Sequence, residues 1–409
     1  MKKILFTNLL LLASIIQAQS IKVGEWRDHL SYFETFDVCA QGDLIYTSTD
    51  KALFVYNKND QSIERLNTLN GLSDANVSAI SSNQTTLIVG YENGNLDIIE
   101  NNKTENLADI KRASIIANKR INSINIEADI AYLSCGFGIV VLDLLKREIK
   151  DTYFIGAGGT YMNIIGTSIS NNKLYAATEQ GIYTADLNQT NLADFQAWEK
   201  MSFKENAKIN LIETYAGKLF ANIQGNTFNS DSLYTYDGAN WELFSHPYSN
   251  VSLKVSDNKL VVTSKYGVNR YNEDLESLQN LSSGVFNFSK KEFRAGIYLD
   301  GEYWIADKNN GLLHYKNGNS EQIIPTGPHK SDVAQIQNFG DEIWLAHGSK
   351  DENWDPTWSK NELSILKNDF WSHTSTLIEN EIHDPVAIAQ KGNITYVASW
   401  QDGLAELEN

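Results

Sequence analysis

The chain is written in short apolar runs separated by polar turns. Residues 301–315, GEYWIADKNNGLLHY, show the unit. An apolar strand at 303–306 is followed by a polar turn that closes on Gly311, then by a second strand at 312–315. Successive strand residues point to opposite faces, so each face of such a pair receives every second side chain. The same unit returns at 172–186, 258–272 and 393–408.

Anchoring each unit on the first apolar residue of its second strand gives Leu44, Leu87, Ile130, Leu174, Leu219, Leu260, Tyr303, Ile343 and Ile394. Their spacings are 43, 43, 44, 45, 41, 43, 40 and 51 residues. A period this regular predicts an all-β fold, a β-propeller with one four-stranded sheet per blade. The first strand of each unit, as at 77–81, 121–126, 164–169 and 251–255, is expected innermost. The fourth, as at 62–66 and 241–244, is more polar and expected outermost. Asp237-Gly238 and Asn317-Gly318 are dipeptides that favour the positive φ of hairpin turns. No long 3.6-residue period appears, and 188–195 has room for a single helical turn.

A blade with two apolar faces is stable only between neighbours, so the ring has to close. The lone strand read at 23–30 is expected to tie the ends together. Seven units fill 33–325, after which Pro325 and Pro328 flank Gly327; two of the 5 prolines fall here. Proline cannot donate to a sheet, so this is the expected boundary. The expected architecture is a seven-bladed propeller over 19–325 and the start of a second, incomplete propeller over 329–409. The alternative is a nine-bladed ring whose last blade 23–30 completes. Fewer, fuller blades pack better around an axis, so the chain is expected to be a piece of a longer protein.

Composition changes this picture in two ways. A net charge of −17 argues against a nucleic-acid partner, whose phosphates need a basic surface. Residues 1–18 read as a secretory signal: Lys2 and Lys3, an apolar run too short to span a membrane, and Ala18 at the cleavage point. No later stretch reaches transmembrane length, which points to an exported protein, at the periplasm or the outer-membrane surface. Cys39 and Cys135 fall in units that are not neighbours and are expected to be buried and unbridged.

Candidate chemistry is sparse. There is no G-x-S-x-G, no H-E-x-x-H and no phosphate loop. The 7 histidines are scattered, none paired at metal-ligand spacing on one element, although a ring can bring distant ones together. Innermost strands such as VSAIS, INSINI and IIGTSI offer Ser, Thr and Asn but few ionisable groups. TYDGANW at 235–241 lacks the residue that an Asp box has between Asp237 and Gly238, and reads as a hairpin. The eighth unit is stretched by a polar loop at 348–362. Loops on rigid scaffolds concentrate binding sites. Trp354 and Trp358 in it are the candidate binding residues, for sugar rings or a protein partner, unless they fold inward onto their own blade. Trp344 and Trp371 lie on nearby strands. Asp351, Asn353, Asp355 and Glu362 follow a calcium-loop spacing, but Pro356 stands where that loop needs glycine. No catalytic residue, cofactor or metal ligand set is expected.

Two segments carry a resemblance. TLNGLSDANVSAI at 68–80 resembles the linker of two-component-regulator propeller repeats, through Asn70-Gly71-Leu72-Ser73-Asp74, Asn76, Val77 and Ile80. Asn70-Gly71 would make a turn, Leu72 would plug into the core and Asn76 would lead into the innermost strand. GEWRDHLSY at 24–32, between the signal and the first unit, resembles the entry to the N-terminal propeller region of the PorZ family, which belongs to the type IX secretion system of Bacteroidetes-type bacteria. This resemblance implies a longer protein with a second propeller and a C-terminal β-sandwich. It implies no catalysis, but an adaptor at the cell surface in the attachment complex with PorU, PorV and PorQ, binding or presenting anionic lipopolysaccharide for cargo attachment. The alternative is the periplasmic sensor propeller of a hybrid two-component regulator. A propeller enzyme ranks lowest, since it would need acids and bases converging at the ring mouth.

Overall fold

The unit at 301–315 folds as its alternation requires. In strands Glu302–Asp307 and Gly311–Lys316, Trp304, Ala306 and Leu312 pack on Phe54 and Tyr56 of the first unit. Tyr303, Ile305 and Leu313 face the other way, onto Val261 and Val268. Both faces of the sheet are therefore interior. A computed structural model describes residues 26–408, apart from 190, 205, 289 and 375. The signal at 1–18 and the first residues of 23–30 lie outside the described residues.

The described chain forms nine antiparallel sheets in sequence order: 37–66, 77–107, 121–153, 166–200, 209–248, 250–282, 293–323, 335–374 and 385–408. The first eight have four strands and the ninth has three among the described residues. Every sequence anchor falls on the first or second residue of a second strand, from Leu44 to Ile394. Separate apolar clusters fill the interfaces between consecutive sheets from the first to the seventh. A further cluster joins the seventh back to the first, and another joins the eighth to the ninth. The first strands of sheets one to seven adjoin in the same order, with that of the seventh, Phe293–Leu299, against that of the first, Asp37–Gln41. The fold is a β-propeller.

The closure differs from expectation. Residues 26–36 form no strand. The seventh sheet takes its fourth strand, Asn319–Ile323, from its own unit, so its edge is already paired. The entry segment closes the seam by packing instead. Tyr32 is fully buried between sheets one and seven, edge-on to Phe54. The Gly311 N–H donates to the Phe33 carbonyl at 2.7 Å, and the Thr35 hydroxyl to the Asp307 and Gly311 carbonyls at 3.0 and 2.8 Å. At Gly327 a Cβ would lie 2.3 Å from the Leu30 carbonyl oxygen, so only glycine lets the two segments pass this closely.

Two local readings also shift. The innermost strand of the fourth sheet is Gly166–Ser170, not 164–169, because the Ile164 N–H donates to Cys135 of the preceding sheet. The helical turn expected at 188–195 sits at Phe195–Ala197, where the Asp194 carboxylate caps the Gln196 N–H. Cys39 and Cys135 are buried and unbridged.

The 68–80 linker shows how a sheet is locked to its neighbour. The Asn67 carbonyl accepts from the N–H groups of Asn70, Gly71 and Leu72, and Leu72 is buried between sheets one and two. Ser73 N–H reaches the fully buried Asp97 at 2.8 Å. Asp97 also accepts from the Tyr91 hydroxyl at 2.5 Å and the Asn106 amide at 2.9 Å. Removing this acceptor strands buried donors. Asp97→Ala is expected to lower stability by about 3 kcal/mol in urea unfolding, with the slope unchanged. A loss under about 1 kcal/mol would show that apolar packing holds the linker without the carboxylate.

Candidate functional site

Two places concentrate polar and aromatic chemistry. The first is the channel enclosed by the innermost strands of sheets one to seven, a cavity of about 700 Å³. The strands quoted from sheets two to four line it with Ser, Asn and Thr, as their sequences suggest. The other four sheets correct that picture: Asp37, Glu213, Lys254 and Arg294 also line it. Lys254 of the sixth sheet reaches past the seventh to the first, pairing with Asp37 and donating to the Val38 carbonyl at 2.7 Å. Glu213 of the fifth sheet lines the channel half-buried, and its Oε1 accepts from the Thr214 N–H at 2.9 Å. Burial pushes its carboxyl up to about 7, against weaker pulls from that N–H and from Lys254. Cys39 also borders the channel, with its thiol pushed up to about 12 by burial.

A second cavity of about 670 Å³ shares Phe36, Asn210 and Arg294 with the channel and widens its mouth. Exposed Phe228 and Tyr266 meet edge-on here, their ring centroids 5.8 Å apart. Lys265, Arg294 and Lys308 gather around one carboxylate, Glu292, at 3.5, 3.2 and 3.6 Å. Of these, Lys265 and Arg294 line the second cavity, as does Asp231.

The other place is the 348–362 loop. Trp354 and Trp358 point outward, 66% and 60% exposed, rather than plugging the blade. The loop is held from beneath by the fully buried Asp384. Its carboxylate accepts from the Trp358 N–H at 2.8 Å, the Ser359 N–H at 3.1 Å and the Thr357 hydroxyl at 2.7 Å. Lys350 lies over the Trp354 ring and 5.5 Å from the ring of Trp400, which belongs to the ninth sheet's turn and extends the aromatic surface. Sequence reading passed over Trp400; its position in the polar turn before Gly403 was the available signal. Trp344 and Trp371 do not join this surface. Trp344 is buried between sheets eight and nine, and the Trp371 indole donates to His29 at 3.0 Å.

The calcium-loop pattern does not assemble. Asp351 spends its carboxylate on the N–H groups of Asn353 and Asp355, and Glu362 turns away toward His329. TYDGANW is a hairpin in which Asp237 caps the N–H groups of Ala239 and Asn240.

The sheets and their axial channel define a β-propeller. Residues 45–199 match the family model of the type IX secretion system PorZ N-terminal β-propeller domain. That segment resembles an N-terminal β-propeller domain of the PorZ type. The fold of the chain is similar to that of PorZ, described as an essential bacterial surface component of the type IX secretion system of Porphyromonas gingivalis. The TM-score is 0.75 at 18% identity, over 94% of this chain and 52% of that one. The chain therefore spans about half the length of that protein. The extracellular domain of the hybrid two-component system BT3049 of B. thetaiotaomicron is similar at TM-score 0.53 and 12% identity, over 93% of this chain and 52% of that one. The WD40 propeller domain of Doa1 is similar at TM-score 0.51 and 10% identity, over 70% and 93%. No curated protein sequence matches the chain. Among the described residues no helix is long and apolar enough to cross a membrane.

The raised Glu213 carboxyl makes stability depend on pH. The folded protein holds this proton up to about 7, whereas the unfolded chain releases it near 4.5, so stability falls as pH rises through that window. Above neutrality Glu213→Gln is expected to be more stable than the parent by about 2–3 kcal/mol, and below pH 4.5 equal to it. Denaturant midpoints across this range check it; parallel curves for the two proteins would place Glu213 in an environment as wet as bulk solvent.

Proposed function

We propose that this protein is a non-enzymatic adaptor of the type IX secretion attachment complex, acting at the cell surface by recognition rather than chemistry. The observation that carries the reading is the PorZ-type match over 45–199, set within a likeness of fold over 94% of the chain. On this reading residues 19–325 are a seven-bladed propeller, since one apolar cluster lies at each junction from the first sheet round to the seventh and back. Residues 329–409 begin a second propeller, with sheets eight and nine packed on each other.

The channel supports recognition over catalysis. Lys254 is tied to Asp37, both thiols are held protonated by burial, and Glu213 is an isolated acid on the fifth sheet. A general acid needs a reacting partner set around it. The partners proposed are PorU, PorV and PorQ, with Trp354 and Trp358 as the contact surface. Rigid exposed aromatics carried on a pinned loop suit that role, because little side-chain entropy is lost on binding. The three cations Lys265, Arg294 and Lys308, gathered around the single carboxylate of Glu292, suit anionic lipopolysaccharide.

Affinity capture from envelope extracts of the native host tests the adaptor reading. The parent protein is expected to recover PorU, PorV or PorQ. The Trp354→Ala/Trp358→Ala pair is expected to recover at least about tenfold less, as loss of a hot-spot aromatic commonly does. Repeated recovery of none of the three by the parent overturns the adaptor role; undiminished recovery by the variant moves the contact surface elsewhere.

A further inference from the structure

Three residues that sequence spacing keeps apart meet where the seventh sheet hands over to the eighth. His329 follows Pro328 in the connecting segment. Glu362 precedes strand Leu363–Lys367, and His373 lies in the next strand, Phe370–Thr374. One ligand atom from each of the three lies within 4.8 Å of the other two, and all three side chains are half-buried. From this geometry we propose that His329, Glu362 and His373 bind a divalent transition-metal cation of the zinc class, which fastens the connecting segment to the eighth sheet.

Three observations carry the proposal. First, the donor set is two imidazoles and a carboxylate, the mixture that zinc-class cations take with a fourth position left for water. His329 Nδ1 lies 3.9 Å from Glu362 Oε2. Bonds of about 2.0–2.1 Å in a tetrahedron put ligand atoms about 3.4 Å apart, so side-chain rotation alone brings them in. Second, His329 Nδ1 is shielded from solvent and has no hydrogen-bond partner. A buried polar atom left unmatched is rare, and a cation satisfies a lone pair that no donor reaches. Third, the rings are already oriented from outside the site. Ser364 Oγ lies 3.2 Å from His373 Nδ1 and 2.7 Å from His347 Nε2, and it accepts from the His329 N–H at 2.8 Å. Phe33 of the entry segment packs on both rings, with centroids at 4.9 and 5.3 Å. Ligating histidines are held by such outer partners.

A competing arrangement surrounds Glu362. Lys290 and Lys330 lie near the cluster, and Glu362 faces the Lys290 charge. In that arrangement the carboxylate is a counter-charge to lysine and binds no metal. Lys330 is paired with Glu34, and Lys290 donates to the Lys360 carbonyl at 3.3 Å, so neither ammonium bonds to Glu362.

Metal titration of the chelator-treated protein decides between them. Zinc is expected to bind one equivalent and raise the melting temperature. Cobalt(II) is expected to give the intense visible absorption of a low-coordinate site. His329→Ala/His373→Ala is expected to abolish the cobalt spectrum, whereas His383→Ala, at a separate histidine–aspartate pair, is expected to keep it. Ser364→Ala is expected to weaken binding roughly tenfold or more by releasing the ring of His373. No zinc or cobalt uptake by the parent protein overturns the proposal, with no variant required. An unchanged cobalt spectrum in the folded double variant overturns it equally.

Discussion

The architecture rests on one constraint: each four-stranded sheet has two apolar faces and can bury neither alone. Trp304 and Tyr303, adjacent in sequence, belong to different clusters on opposite sides of their sheet. Every sheet from the first to the seventh is in this position, so each is stabilised by two neighbours. The junction between the seventh and the first is the one place where the chain does not bring neighbouring sheets together by a short connection. There the cluster is enlarged by Tyr32, and the Thr35 hydroxyl ties the entry segment to the Asp307 and Gly311 carbonyls. Packing and side-chain hydrogen bonds do the work that a borrowed strand was expected to do. This is feasible because Asn319–Ile323 already satisfies the edge of the seventh sheet.

The same constraint explains why the centre is polar. Apolar faces are consumed between sheets, so the innermost strands turn toward the axis the side chains that no neighbouring sheet covers. Sheets two to four meet this with Ser, Asn and Thr. Sheets one, five, six and seven bring Asp37, Glu213, Lys254 and Arg294. Lys254 spans from the sixth sheet to the first, a strut across the seventh. It is one of several polar ties between sheets, beside the Ser82 hydroxyl donating to the Ala40 carbonyl at 2.8 Å and the Ser168 and Thr214 hydroxyls 2.7 Å apart, and it leaves Glu213 with little compensation for its burial.

What was legible in the sequence follows from how local the signal is. A second strand is a run of apolar residues bounded by turn residues, so Leu44, Leu87 and their successors locate the sheets to within one residue. Strand order within a sheet is equally local. The fate of 23–30 was not legible, because it depends on whether a distant edge is already paired. The charged residues of the channel were present in the text, but the strands read most closely were three without them. Trp354 and Trp358 were visible as aromatics in a polar loop. Their outward pose depends on Asp384, which lies beyond that loop and becomes its anchor only in the folded chain. His329, Glu362 and His373 lie on no common element, so no spacing rule could group them.

The joint between the seventh and eighth sheets differs in kind from the joints within the ring. Among the described residues, its contacts are chiefly polar and aromatic: Arg27 pairs with Asp369, Lys330 with Glu34, Ser31 donates to the His329 carbonyl, and Trp371 donates to His29. Exposed ion pairs of this sort contribute little each, about 0–1 kcal/mol. The position of the eighth sheet therefore depends on shape more than on charge. Pro325 and Pro328 stiffen the connection, Gly327 lets it pass against Leu30, and Phe33 sits between His329 and His373. The entry segment is common to both sides of this arrangement. Tyr32 is buried in the seam of the ring, while His29 and Phe33 touch the eighth sheet and the connecting segment. One short stretch, residues 27–35, therefore supplies contacts both to the seam of the ring and to the eighth sheet.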